Sequence, residues 1–198
     1  VCEIQSQGLE LLMLHYKEEL FGDLAEDAQL QNLGNTMDSI VAGALLDEFE
    51  TTVYENPDLT LEEMNQLFGD LNAQYDQWYF VNDEEGRCFS WVDIGHLYHQ
   101  PLYYIGYAAS AYPAMQLWLK SQTDWQGAVN CYMELSAMGV SYPYQAALDE
   151  CGLENIFKEG ALEEMTERVG AALKLDSYGL EEGAEDINAA KSQEMALS

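Results

Sequence analysis

Positive charge is what this chain has least of. Seven Lys and Arg stand against 36 Asp and Glu among 198 residues, a formal charge of −29. A nucleic-acid partner is excluded on that ground, because counterion release from phosphates needs clustered bases. Anionic membrane surfaces are disfavoured by the same repulsion. Long apolar runs are also missing, so no segment reads as a bilayer-spanning helix. The start Val1-Cys2-Glu3-Ile4 has neither a basic n-region nor an apolar h-region. It reads as a start inside an element, as in a fragment, and not as a signal peptide. The four cysteines, Cys2, Cys88, Cys131 and Cys151, form no CxxC pair. Free buried thiols are the expectation, and with them a reducing, cytoplasmic compartment. Histidine is scarce too. His15, His96 and His99 are the whole set, and no HExxH spacing occurs. An autonomous zinc site, which needs about three protein ligands, is not expected.

What is present is apolar and aromatic. Hydrophobic residues make up 48% and aromatics 12%, with 13 Tyr. That suffices for a packed core, and it separates the chain from disordered acidic sequences. The periodicity is helical nearly throughout, and the expected class is all-α. Leu9, Leu12, Met13, Tyr16 and Leu20 form one stripe, broken at Gly22-Asp23. Met37, Val41, Ala44, Leu45, Phe49 and Thr52 form a second, ended by Asn56-Pro57-Asp58. Thr60 followed by Glu63 is a capping box opening a third helix. Asn82-Asp83-Glu84-Glu85-Gly86 reads as a polar loop. Leu102 to Lys120 reads as a helix that Pro113 should kink or divide. Asp124 caps a helix closed by Gly139, Pro143 opens a short one closed by Gly152, and Glu154 to Leu175 gives the last. The organisation expected is a single helical domain over 1–178 with an acidic, frayed tail over 179–198 and no internal repeat.

Some residues do not fit a bland helical reading. Glu48 falls at the centre of the Val41–Leu45–Thr52 stripe, where a carboxylate must find a partner, shift its pKa or bind something. The stretch between Lys17 and Arg87 holds 18 Asp and Glu and no base to pair with it. Most of those acids are read as a solvated face. Glu3 and Glu10 lie seven apart on one helix flank, with Ser6 and Gln7 between; such pairs are ordinarily only solvated. His96 and His99 share a face, a weak metal signal by itself. His96 precedes Tyr103, Tyr104 and Tyr107, a concentration of phenols able to hold a developing oxyanion. The plain alternative is a tyrosine-rich helix adding rings to the core. Asn82 to Gly86 echoes a calcium loop with the wrong spacing.

Three segments, taken in order, resemble one family, the M3-type zinc metallopeptidases of the oligoendopeptidase F group. Glu3-Ile4-Gln5-Ser6-Gln7-Gly8-Leu9-Glu10 resembles the helix that carries the family's third zinc ligand. The match places that ligand at Glu3 and the motif's second acid at Glu10. Asp47-Glu48-Phe49 with Val53-Tyr54-Glu55-Asn56-Pro57 resembles a second motif of the bacterial branch. His96 with Pro101-Leu102-Tyr103-Tyr104-Ile105-Gly106-Tyr107 resembles the segment whose His and Tyr bind the substrate carbonyl. The resemblance covers about residues 1–175, the C-terminal part of a family member.

The departures set what it implies. The HExxH helix, with two zinc-binding His and the general-base Glu, is missing; in the family it lies about 25 residues before the third ligand. Gly95 stands where a Pro is usual and Gly106 where an Asp is. The large helical lobe that forms the other channel wall is missing too. The resemblance thus implies hydrolysis of short peptides in an intact zinc enzyme, with Glu3 on the metal and His96, Tyr104 and Tyr107 toward substrate, Tyr103 in reserve. The isolated chain, with one carboxylate, is expected to bind no zinc and to be inactive. The alternative is a non-catalytic remnant, a binding module whose half-open cleft drives homo-oligomer formation.

Overall fold

The computed structural model describes residues 2–75 and 84–174, and every regular element among them is a helix. The all-α expectation holds. α1 is Cys2–Met13, followed through a 3-10 turn by α2, Lys17–Phe21. Gly22 at φ 55° breaks the run, and α3, Ala25–Glu55, then spans 31 residues before stopping at Asn56-Pro57. α4, Leu61–Gln74, starts from the capping box read in the sequence. The Glu63 N–H donates to Thr60 Oγ1 at 3.3 Å while the Thr60 N–H donates to Glu63 Oε2 at 2.8 Å. Two orphan donors are thereby satisfied together. α5 is Glu84–Phe89 and α6 the single turn His96–His99. α7 is Ile105–Ser121 and α8 Trp125–Met138, capped by Asp124 accepting the Gly127 N–H at 2.9 Å. α9, Tyr144–Glu150, follows Pro143 and is closed by Gly152 at φ 66°.

The chain divides after Ile156 into two compact units. In the first, α7 is the axis, packed against α1, α3 and α8. Its residues Ala108, Ala111, Ala114, Met115, Leu117 and Trp118 are all buried. The small side chains let neighbouring backbones come close. At Gly43 of α3 an added Cβ would stand 2.8 Å from the Ala108 Cβ and 3.3 Å from the Tyr104 carbonyl oxygen. One apolar cluster joins Ile4 and Leu12 to Leu117, Leu135 and Leu148; a second joins Leu45, Leu46 and Phe49 to Phe68, Leu71 and Ile94. Each such fully buried side chain contributes about 1.5–3 kcal/mol of transfer free energy. In the second unit, α10 is Ala161–Leu173, with Ala161, Met165 and Val169 buried at i, i+4 and i+8.

Several expectations need correction. Of the stripe Leu9, Leu12, Met13, Tyr16 and Leu20, Leu12 alone faces the core. Leu9, Met13, Tyr16 and Leu20 are 49%, 40%, 41% and 51% exposed, and α1 buries Ile4, Gly8 and Leu11 beside Leu12. The period was right and the face was wrong, because small Gly8 marks the side on which Leu117 of α7 approaches. α7 begins at Ile105, not Leu102, and Pro113 does not divide it. Pro113 cannot donate to the Ala109 carbonyl, and the Tyr144 hydroxyl donates to it instead at 2.5 Å. Glu84 to Gly86 lie in α5 and not in a loop, whereas Asn82 and Asp83 fall outside the described residues. The last helix starts at Ala161, after Gly160 at φ 76°, and not at Glu154. The 179–198 segment lies outside the described residues.

Glu48 is not the buried carboxylate of α3. It is exposed and accepts the Tyr75 hydroxyl at 2.7 Å, while Glu50, only 5% exposed, is the acid inside. α3 is buried on two sides, Phe49 facing Phe68 of α4 and Gly43 facing α7, so a single stripe misplaces the centre. Cys131 and Cys151 are free thiols. Burial pushes the Cys131 thiol up to about 12, which leaves it protonated and unreactive. No described helix is long and apolar enough to cross a membrane.

Candidate active site

The first turn of α1, the turn before α7 and the first turn of α7 converge. Glu3 is half-buried there. Its Oε1 accepts the Tyr103 hydroxyl at 2.5 Å and its Oε2 accepts the Ser6 hydroxyl at 2.9 Å. Ser6 is one helical turn on from Glu3, the spacing that stacks two side chains on one face. Glu3 is thereby held at both oxygens.

His96 sits on the other side of Tyr103. The two rings stack at 6.3 Å between centroids, 9° from parallel. Tyr104 and Tyr107 meet the imidazole edge-on at 5.3 and 5.7 Å. The Tyr107 hydroxyl lies 3.3 Å from His96 Nε2, a hydrogen bond in which the imidazole tautomer decides which of the two donates. Tyr103 and Tyr107 also meet edge to face at 5.6 Å. Burial raises the Tyr107 phenol above its ordinary range, and the charge of Glu3 and then Tyr104 add to it. Burial alone raises Tyr104. Both phenols stay protonated at neutral pH and remain hydrogen-bond donors.

The sequence candidates separate as follows. Glu3, His96, Tyr103 and Tyr107 form one linked group. Tyr104 joins it by ring edges and also packs against the Leu45–Phe49 cluster of α3. Glu10 points elsewhere: it is exposed and lines a pocket of about 420 Å³ with Ser6, Leu9, Met13, Leu20 and Phe21. His99 is exposed. Among the described residues, no three of His, Cys, Asp and Glu come together so as to hold a metal ion. Glu3 is one carboxylate, and zinc needs about three protein ligands.

The two glycine departures leave the local backbone able to match the motif. Gly95 has φ −55° and Ile94 before it is extended, the conformations proline and its predecessor adopt. Gly106 has open space where a Cβ would stand. One residue of the arrangement went unread in the sequence. Glu50 of α3 accepts the Leu102 N–H at 2.9 Å, just before Tyr103. No local signal marks it, since the partner is 52 residues away.

No family model and no curated protein matches the chain. Solved structures do. A chain assigned as an oligoendopeptidase F superposes with a TM-score of 0.79 at 28% identity, over 87% of this chain and 31% of that one. PZ peptidase A, solved with an inhibitor, gives the same score, identity and coverage. A chain from Bacillus anthracis str. Ames, also assigned as an oligoendopeptidase F, superposes at 0.70 with 24% identity over 88% of this chain and 28% of that one, a likeness of fold. This chain thus spans about a third of the length of the solved chains it matches, and over that third it has the fold of an oligoendopeptidase F.

Proposed function

We propose that the chain is the C-terminal part of an oligoendopeptidase F-like zinc metallopeptidase that hydrolyses short peptides when complete, and that it is inactive alone. The observation that carries this reading is the Tyr103–Glu3 hydrogen bond. Motifs 100 residues apart, a proposed metal ligand and a proposed substrate-binding segment, meet in space. α1 packs against α7, and that packing brings these two motif residues into contact.

Zinc is implied by the resemblance, but the described residues do not fit it by themselves. What they supply is the remainder of a site. Tyr103 and Ser6 fix the Glu3 carboxylate in one orientation. Tyr107 and His96 pair with each other beside it, and a substrate carbonyl that displaced that bond would meet the Tyr107 O–H, suited to an oxygen that gains negative charge as a peptide carbonyl is attacked. The raised phenol keeps Tyr107 protonated. The missing ligands and the general base would come from an HExxH helix in the intact enzyme.

The test has two arms. The reading frame upstream of Val1 should encode HExxH about 25 residues before Glu3. The protein expressed from that longer frame should cleave a quenched fluorescent peptide in a chelator-sensitive way, with Glu3→Gln abolishing turnover. A frame with no HExxH, or a longer protein whose turnover survives Glu3→Gln, refutes the reading.

A second reading has its own observation. Leu9, Leu20, Phe21 and Leu24 are 49%, 51%, 42% and 64% exposed along one stretch of the first unit. Apolar surface of that kind is ordinarily covered. A stand-alone remnant would cover it by self-association. Sedimentation of the purified chain as a dimer, with Leu20→Asp and Phe21→Asp restoring the monomer, would favour that reading.

A further inference from the structure

Tyr103 reaches Glu3 from an unusual turn. The Tyr103 N–H donates to the Gln100 carbonyl at 3.2 Å, closing a four-residue turn with Pro101 second and Leu102 third. Leu102 has φ 60°. Proline second and a positive φ third are the marks of a type II turn, whose third position is normally glycine. A type I turn over the same four residues would leave Leu102 unstrained. The two types differ by a flip of the central peptide, which reverses the direction of the third residue's N–H. Nothing about the Leu102 side chain selects the strained form, since it is 50% exposed. The backbone does. Its N–H donates at 2.9 Å to Glu50 Oε1, on a side chain 5% exposed in the long helix α3.

We propose that Glu50 is a positioning residue: its buried carboxylate captures the Leu102 N–H, holds the turn in the type II form and so presents the Tyr103 hydroxyl to Glu3. The proposal deepens the peptidase reading and takes its functional meaning from it, while the geometry stands on its own. Burial raises the Glu50 carboxyl, the Leu102 N–H draws it back down, and Asp47 raises it again. Among the described residues no base pairs with this acid, and the Leu102 N–H that it accepts explains its place. A glutamine there would keep that acceptor and a leucine would not.

The experiment is NMR on the chain as it stands, reading the nuclear Overhauser effect between the Tyr103 ring and the Glu3 side chain. The effect should be present in the native protein and in Glu50→Gln, whose amide oxygen still accepts the N–H. It should vanish in Glu50→Leu, with the Phe49–Phe68 ring contacts kept. It should return in Glu50→Leu combined with Leu102→Gly, because glycine takes the positive φ without help. Retention in Glu50→Leu, loss in Glu50→Gln, or no return with Leu102→Gly overturns the proposal. Should Glu50→Leu fail to fold, amide exchange in the native chain decides: Leu102 should be protected about tenfold or more, and an unprotected Leu102 amide overturns it. None of these signals depends on turnover. If they come out as expected and the longer protein cleaves no peptide, only the peptidase reading falls.

Discussion

The Tyr103 hydroxyl donates to the Glu3 carboxylate at 2.5 Å across 100 residues of chain. This contact ties the N-terminal turn of α1 to the segment that carries His96 and Tyr107. A hydrogen bond to a charged acceptor contributes about 1.5–3 kcal/mol when well shielded. Glu3 is only half-buried, so screening by water reduces that.

A double-mutant cycle measures the contact directly. Tyr103→Phe and Glu3→Ala should each cost about 1 kcal/mol in urea unfolding at neutral pH, and the pair together less than the sum by a similar amount. Strict additivity would mean that the two side chains do not meet in solution.

Pro113 makes a second prediction. The carbonyl of Ala109 loses its helical donor to proline and receives the Tyr144 hydroxyl at 2.5 Å. Burial holds that phenol up to about 12, so it stays a donor. Tyr144→Phe should destabilise by about 1–3 kcal/mol, the cost of an unsatisfied polar group. In a Pro113→Ala background residue 113 regains its N–H, and the same change should then cost clearly less. Equal costs in both backgrounds, read from urea midpoints at constant slope, would show that Tyr144 does not serve this carbonyl.

The sequence carried local information well and relational information poorly. Thr60 with Glu63, Asp124 and Gly152 were legible because caps act within a few residues. Glu3, His96, Tyr103 and Tyr107 were legible as a group only through the family resemblance, since no local period links α1 to α7. Glu50 carries no local mark while Glu48 falls at the centre of an apolar wheel, because α3 is buried on two sides and a wheel finds one. The exposed face of α1 was misread for the related reason that an apolar stripe does not state what it is turned toward. Pro113 was misjudged because its remedy, Tyr144, lies on another helix.

Tyr75 gives a prediction in pH. Its hydrogen bond to Glu48, then burial, then the Glu48 charge push the phenol from 10.0 up to about 12. A group whose folded pKa lies above its unfolded one contributes stability below the unfolded value and loses it as pH rises through the folded value. The native chain should therefore exceed Tyr75→Phe in unfolding free energy by a constant amount up to pH 10.0, and the excess should decay to zero as pH passes about 12. An excess that is unchanged at the upper end, or already falling at neutral pH, would contradict the Tyr75–Glu48 bond.

Two glycines of the same helix should respond oppositely to one methyl group. Gly43 and Gly34 both lie within α3, where alanine is favoured over glycine by about 1 kcal/mol. At Gly34 a Cβ meets nothing within 4 Å, so Gly34→Ala should stabilise by about 0.4–1 kcal/mol. At Gly43 it would stand 2.8 Å from the Ala108 Cβ and 3.3 Å from the Ala108 nitrogen and the Tyr104 oxygen. Two of those three atoms are backbone, which cannot swing aside as a side chain does. Relief requires α7 to move off α3, and overpacking of this kind costs about 1–3 kcal/mol, more than the helix propensity returns. Because the displaced backbone is that of Tyr104 and Ala108, Gly43→Ala should also weaken the Tyr103–Glu3 contact in the ring-to-side-chain Overhauser measurement, while Gly34→Ala leaves it intact. A Gly43→Ala protein as stable as the Gly34→Ala one would show that α3 and α7 do not approach this closely.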